Sequence, residues 1–162
     1  MKKTILISIA IFMMAGAKAQ VTMSPRVGFE TQCLGVEEDG TQTLRVWGFG
    51  SKKKDAVEQA MKTAVRDILF KGIHAGMEGC NTRPMLTEVN ARERHEAYFN
   101  NFFADGNRFK KYVSFKDEKK KKKSREHTES TLGTRWSIVV TVKCPQLRQR
   151  LIKDKIIQKD YK

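Results

Sequence analysis

Little in this chain interrupts or cross-links it. Only three prolines fall among 162 residues, so no proline-rich linker divides it. Three cysteines, Cys33, Cys80 and Cys144, are too few for a disulfide scaffold, and their spacing is too wide for a zinc site. Three histidines, His74, His95 and His127, are scattered. No His-Glu-x-x-His pair and no Gly-x-Ser-x-Gly elbow occurs. Glu93-Arg94-His95-Glu96 places carboxylates beside a histidine, but adjacent residues of a helix point apart. Acidic side chains are also scarce: 18, against 32 lysines and arginines, a formal charge of +14. Beyond residue 15 no apolar run approaches the roughly 20 residues that cross a bilayer. These absences lead us to expect a protein that is not an enzyme and needs neither cofactor nor metal.

The amino terminus carries a targeting signal. Lys2 and Lys3 precede an apolar run, Thr4 to Ala15, which is too short for an ordinary membrane span. Ala17-Lys18-Ala19 fits the small-x-small pattern of a secretory cleavage site. Residues 1–19 are expected to leave as a signal peptide, with cleavage before Gln20. A periplasmic or secreted location follows, with no transmembrane segment after cleavage. Subtracting Lys2, Lys3 and Lys18 leaves 29 basic and 18 acidic side chains, still a strongly cationic protein that favours anionic partners. An oxidising compartment permits one disulfide among the three cysteines; the spacing does not say which two pair. Cys144 ends a strongly apolar strand and reads as a core residue.

Hydrophobic periodicity predicts one α+β domain over residues 24–158. Val27 to Val36 and Thr41 to Phe49 read as a hairpin around the Glu37-Glu38-Asp39-Gly40 turn. Ser51 to Lys71 is the clearest helix: Ala56, Ala60, Ala64 and Ile68 form one row, with Val57, Met61, Val65 and Leu69 beside it. Ser51 is placed to cap it and Gly72 to end it. A weaker helix is expected from Thr87 to Ala104, and an alternating strand from Arg108 to Lys116. Trp136, Ile138, Val140, Val142 and Cys144 alternate with polar residues over Thr134 to Cys144, the mark of a half-buried strand. A basic helix follows, opened by Pro145. The order β-β-α-(α)-β-β-α predicts an antiparallel sheet of about four strands with helices on one face.

Two features could carry function. The first is Gly48-Phe49-Gly50-Ser51-Lys52-Lys53-Lys54. It lacks the glycine spacing of a Walker loop or a dinucleotide fingerprint, so it reads first as a tight strand-to-helix joint. Its lysines crowd a helix start, where the macrodipole disfavours cations. Because helix amino termini also bind anions, Gly50, Ser51, Lys52, Lys53 and Lys54 form a candidate anion site. The second is Lys119-Lys120-Lys121-Lys122-Lys123 with Arg125, inside a polar segment read as a flexible basic hairpin insertion at 117–132. Adjacent like charges repel and resist packing. The run is either a solvated tip or an electrostatic arm. Stacking recognition of single strands needs interleaved aromatics, and none lies between Lys116 and Arg135.

The stretches VWGFGSKKKDAVEQAMKTAVRDI and RWSIVVTVKCPQLRQRL combine a strand ending in Gly-x-Gly, a helix with alanine at every fourth position, and a strand running into an amphipathic helix. In this element order the chain resembles the superfamily of small bacterial envelope proteins that includes the LPP-twenty lipoproteins, the amino-terminal domain of a flagellar assembly accessory protein, and the penicillin-binding-protein activator lipoproteins. The resemblance implies a non-enzymatic exported adaptor that docks to an envelope assembly or an anionic surface polymer. The alternative is a module that binds nucleic acid or another polyanion in a secretion or DNA-transfer apparatus. The chain departs from the lipoprotein members in lacking their lipid-bearing cysteine. Its Phe and Trp faces leave room for a homo-oligomer interface.

Overall fold

A computed structural model describes residues 30–104, 108–115, 127–130 and 133–158. The predicted leader, its cleavage point, and the Lys119–Lys123 and Arg125 run lie outside the described residues. The fold is α+β. Strand β1 (Gln32–Val36) turns into β2 (Gln42–Gly50), which runs into helix α1 (Lys53–Phe70). A two-residue strand β3 (Ala75–Gly76), short helices α2 (Ala91–Arg94) and α3 (Glu96–Phe102) and a 3-10 turn at Arg108–Lys111 follow. Strands β4 (Val113–Phe115), β5 (His127–Ser130) and β6 (Gly133–Val142) precede the last helix, α4 (Cys144–Lys153). The sheet order is β3-β1-β2-β6-β4, with β5 also on β6. It is antiparallel except for the parallel β1–β3 pair.

The long β2–β6 ladder sets which residues are buried. Its register pairs Leu44 with Val140, Val46 with Ile138 and Gly48 with Trp136, so the even-numbered residues of both strands share a face. Leu44, Val46, Ile138, Val140 and Val142 are buried there against Ala60, Ala64, Val65, Ile68 and Leu69 of α1. Both predicted helical rows are buried, except that Val57 is only half-buried. Gly48 explains the close seat of the helix: a Cβ there would lie 1.8 Å from the Ala56 carbonyl oxygen and 3.1 Å from the Ala60 Cβ. Gly72 ends α1 at φ +80°, its N–H donating to the Asp67 carbonyl at 2.8 Å.

The structure corrects several expectations. Ser51 does not cap α1; Lys52 occupies the cap position, without a side-chain hydrogen bond. Among the described residues the sheet has six strands, including the two-residue β3, where about four were expected. The Thr87–Ala104 helix is two short pieces broken at His95, because Glu88 to Glu96 supplies only Ala91 as a buried apolar residue and so has no stripe to seat a longer helix. The Arg108–Lys116 strand is instead a 3-10 turn followed by three strand residues. The turn sends Phe109 inward, fully buried.

Cys33 and Cys80 form the disulfide, joining β1 to the loop after β3. A link spanning 47 positions removes denatured-chain entropy worth about 4 kcal/mol. Reducing it in the full chain should lower the urea midpoint without unfolding the protein at once. An unchanged midpoint after full reduction would show that the link constrains nothing. Gly48→Ala is expected to cost about 1–3 kcal/mol through overpacking, read as a lower midpoint at unchanged slope. A neutral result would mean that α1 does not lie on β2 as described.

Candidate functional site

The glycine-lysine joint is built for packing. Gly50 as well as Gly48 lies under α1, with a Cβ at Gly50 reaching within 2.9 Å of the Ala56 nitrogen. The amides of Asp55 and Ala56 both turn back onto the Lys52 carbonyl. Lys53 lays its ammonium 5.7 Å from the Trp136 ring centroid, over the sheet. Asp55 sits in the first turn of α1, where an acidic side chain complements the helix dipole. Gly50, Ser51, Lys52, Lys53 and Lys54 thus form one surface joint with exposed lysines, whose glycines are explained by close backbone approach.

The strand register places the two strands that flank the lysine run in sequence. Strands β4 and β5 both pair with β6 on the side away from β2, and both run antiparallel to it. Phe115 stands opposite Val140 and His127 opposite Trp136. Three residues of β6, 137–139, therefore separate two points that eleven residues of chain, 116–126, connect. Lys119–Lys123 and Arg125 fall in the sequence between these two strands, outside the described residues. The hairpin tip lies elsewhere, between Ser130 and Gly133, and His127–Ser130, read from sequence as part of the insertion, is sheet.

No catalytic cluster assembles among the described residues. His74 is exposed, its Nε2 3.3 Å from the Lys71 carbonyl. His95 lies 3.8 Å from the Glu88 carboxylate. No group of three His, Cys, Asp or Glu side chains among the described residues is arranged to hold a metal ion. The free thiol of Cys144 is buried, and burial pushes its pKa up to about 11, so it is not a nucleophile near neutrality. An open cleft of about 490 Å³ is lined by Trp47, Phe49, Asp67, His74 and Arg135. Two carboxylates line it, Glu30 and Asp67, and Asp67 is engaged in holding the fold: it accepts from the Thr31 hydroxyl at 2.5 Å and pairs with Lys71 at 3.0 Å.

Sequence reasoning missed two polar clamps. Thr31–Asp67 ties β1 to α1. The second ties α3 to α4: Asp154 Oδ2 accepts from the Tyr98 hydroxyl and from Arg150 Nε, both at 2.7 Å. The one available signal was an Arg-x-x-x-Asp pair at helical spacing in the last helix. These observations define the class: a disulfide-linked α+β protein, cationic overall. No known protein family model matches the chain, and no curated protein or solved structure matches it either. No helix among the described residues is long and apolar enough to cross a membrane.

Two carboxyls set an acid limit. Two Thr41 donors, its N–H and then its hydroxyl, hold Asp39 below the ordinary aspartate value of 3.8. Burial works against ionisation of Asp154, but the Tyr98 hydroxyl and Arg150 outweigh it, so its pKa is also lowered. A depressed carboxyl stabilises the fold fully above its unfolded pKa, and that contribution disappears as pH falls through the folded value. The thermal midpoint should therefore hold down to about pH 4 and fall below it. Asp154→Asn should lower the midpoint at neutral pH and flatten part of the acid limb. A variant with an unaltered acid limb would remove Asp154 from the account.

Proposed function

We propose that this protein is an exported, non-enzymatic accessory protein that docks to an anionic partner of the cell envelope, either an acidic protein or a surface polymer. The single observation that carries the reading is the charge of the segment that joins β4 to β5 in the sequence. Five consecutive lysines, Lys119–Lys123, stand in the sequence between two strands that pair with the same strand, on the side of β6 away from β2. The Cys33–Cys80 link supports export, since disulfides persist in oxidising compartments. The formal charge of +14 supports fast, salt-sensitive encounter with anions.

Attraction of this kind works mainly through encounter rate and is screened beyond roughly 8 Å at physiological salt. Retention on isolated envelopes is expected to fall steeply as salt rises, and replacing Lys119–Lys123 with serine should abolish most of it. Retention of that variant at the wild-type level would refute the role of the run. Stronger salt-dependent retention on DNA than on envelopes would move the reading to nucleic acid.

A further inference from the structure

A second cationic surface lies apart from the lysine run. Between the Cys80–Glu88 loop and α4 runs a groove formed by two adjoining cavities of about 640 and 700 Å³ that share Pro84, Met85 and Arg148. Pro84, Met85, Ile156 and Ile157 give it apolar walls. Arg83, Arg148 and Lys155 give it positive charge. Among the described residues Glu88 is the one carboxylate lining it, and that group is paired with Arg94 and lies beside His95.

The backbone at Lys155 adds an independent observation. After α4 the Ile156 N–H donates to the Leu151 carbonyl at 2.9 Å, and Lys155 adopts φ +59°. This is a helix-ending motif whose left-handed position favours glycine, because a Cβ there is strained. A lysine held in that position, with its side chain on the groove, is a local cost that suggests a use for the side chain.

We infer that this groove takes an extended acidic peptide, its carboxylates against Arg83, Arg148 and Lys155 and an apolar side chain against Met85 and Ile156. Charge complementarity selects the occupant. A second copy of this chain, at +14, is repelled. The inference deepens the docking reading and rests on it for the partner's acidity, but it concerns a different surface from the lysine run.

The test is fluorescence anisotropy of the full chain with a short labelled peptide of alternating glutamate and leucine. Wild type should bind it, and the same peptide with lysine for glutamate should not. Lys155→Gly should weaken binding roughly three- to tenfold while leaving the thermal midpoint unchanged or higher, so misfolding would not explain the loss. Arg83→Ser with Arg148→Ser should remove most of the remainder. Replacing Lys119–Lys123 with serine should leave peptide affinity intact. Equal binding by wild type and both groove variants would overturn the proposal, as would displacement of the peptide by anionic vesicles. Peptide binding that depended only on Lys119–Lys123 would overturn the groove and leave the docking reading standing. Intact groove binding with envelope retention independent of the lysine run would do the reverse.

Discussion

Close approach of α1 to β2 positions most of what else is described. Ala56, Ala60 and Ala64 are fully buried, and Gly48 lies under them with no space for a side-chain carbon. Contact at that distance lets neither backbone slide, since interiors are packed too densely to absorb a shift of a methyl group. With the helix seated, Asp67 comes over Thr31 and closes β1 against it. The opposite consequence falls on the outer face of α1. Lys62 and Arg66 lie over Phe109 and Phe103, at 5.8 and 5.3 Å from the ring centroids.

That outer layer shows how so cationic a chain folds. Helices of four and seven residues do not hold themselves together in water. Phe99, Phe102, Phe103 and Phe109 supply what they lack, with edge-on contacts such as Phe70–Phe99 at 5.0 Å and Phe102–Phe103 at 5.1 Å. The ring faces left at the surface are covered by cations, which gain attraction from the π-systems. Lys110 lies 5.9 Å from the Phe109 centroid and is paired with Glu58 at 2.9 Å. Repulsion among like charges is thus offset locally, ring by ring and carboxylate by carboxylate, before any outside anion is involved.

The elements with strong periodicity were legible in the sequence: α1 and the alternation from Trp136 to Val142 stand at their expected faces, and the hairpin turns where expected, although the pattern of its second strand chose no face. What was not legible depended on distant partners. Phe109 alternates with Val113 as a strand residue would, yet the pull of the aromatic layer winds its segment into a 3-10 turn. The break at His95 is local in origin, because no apolar stripe spans it. The lysine run was visible as charge, but its position was not, since only pairing with a common strand shows β4 and β5 to be parts of one edge. Asp67 and Lys155 carried no sequence mark beyond their letters, and Asp154 only its helical spacing from Arg150. Their meaning comes from Thr31, Tyr98 and the end of α4, which meet them only in space.

An insertion at a sheet edge is the arrangement the chain tolerates best. Loop-closure entropy rises only slowly with length, so eleven residues across a gap of three add little to the free energy of closing it. An edge strand otherwise presents unpaired backbone groups to any neighbouring chain, and proteins block such edges with lysine and with interruptions. Both devices meet in the sequence between β4 and β5, where the edge is interrupted and five lysines stand. The charges along the α4 groove lie on exposed side chains, Arg83, Arg148 and Lys155, and Lys155 holds a left-handed backbone position that favours glycine.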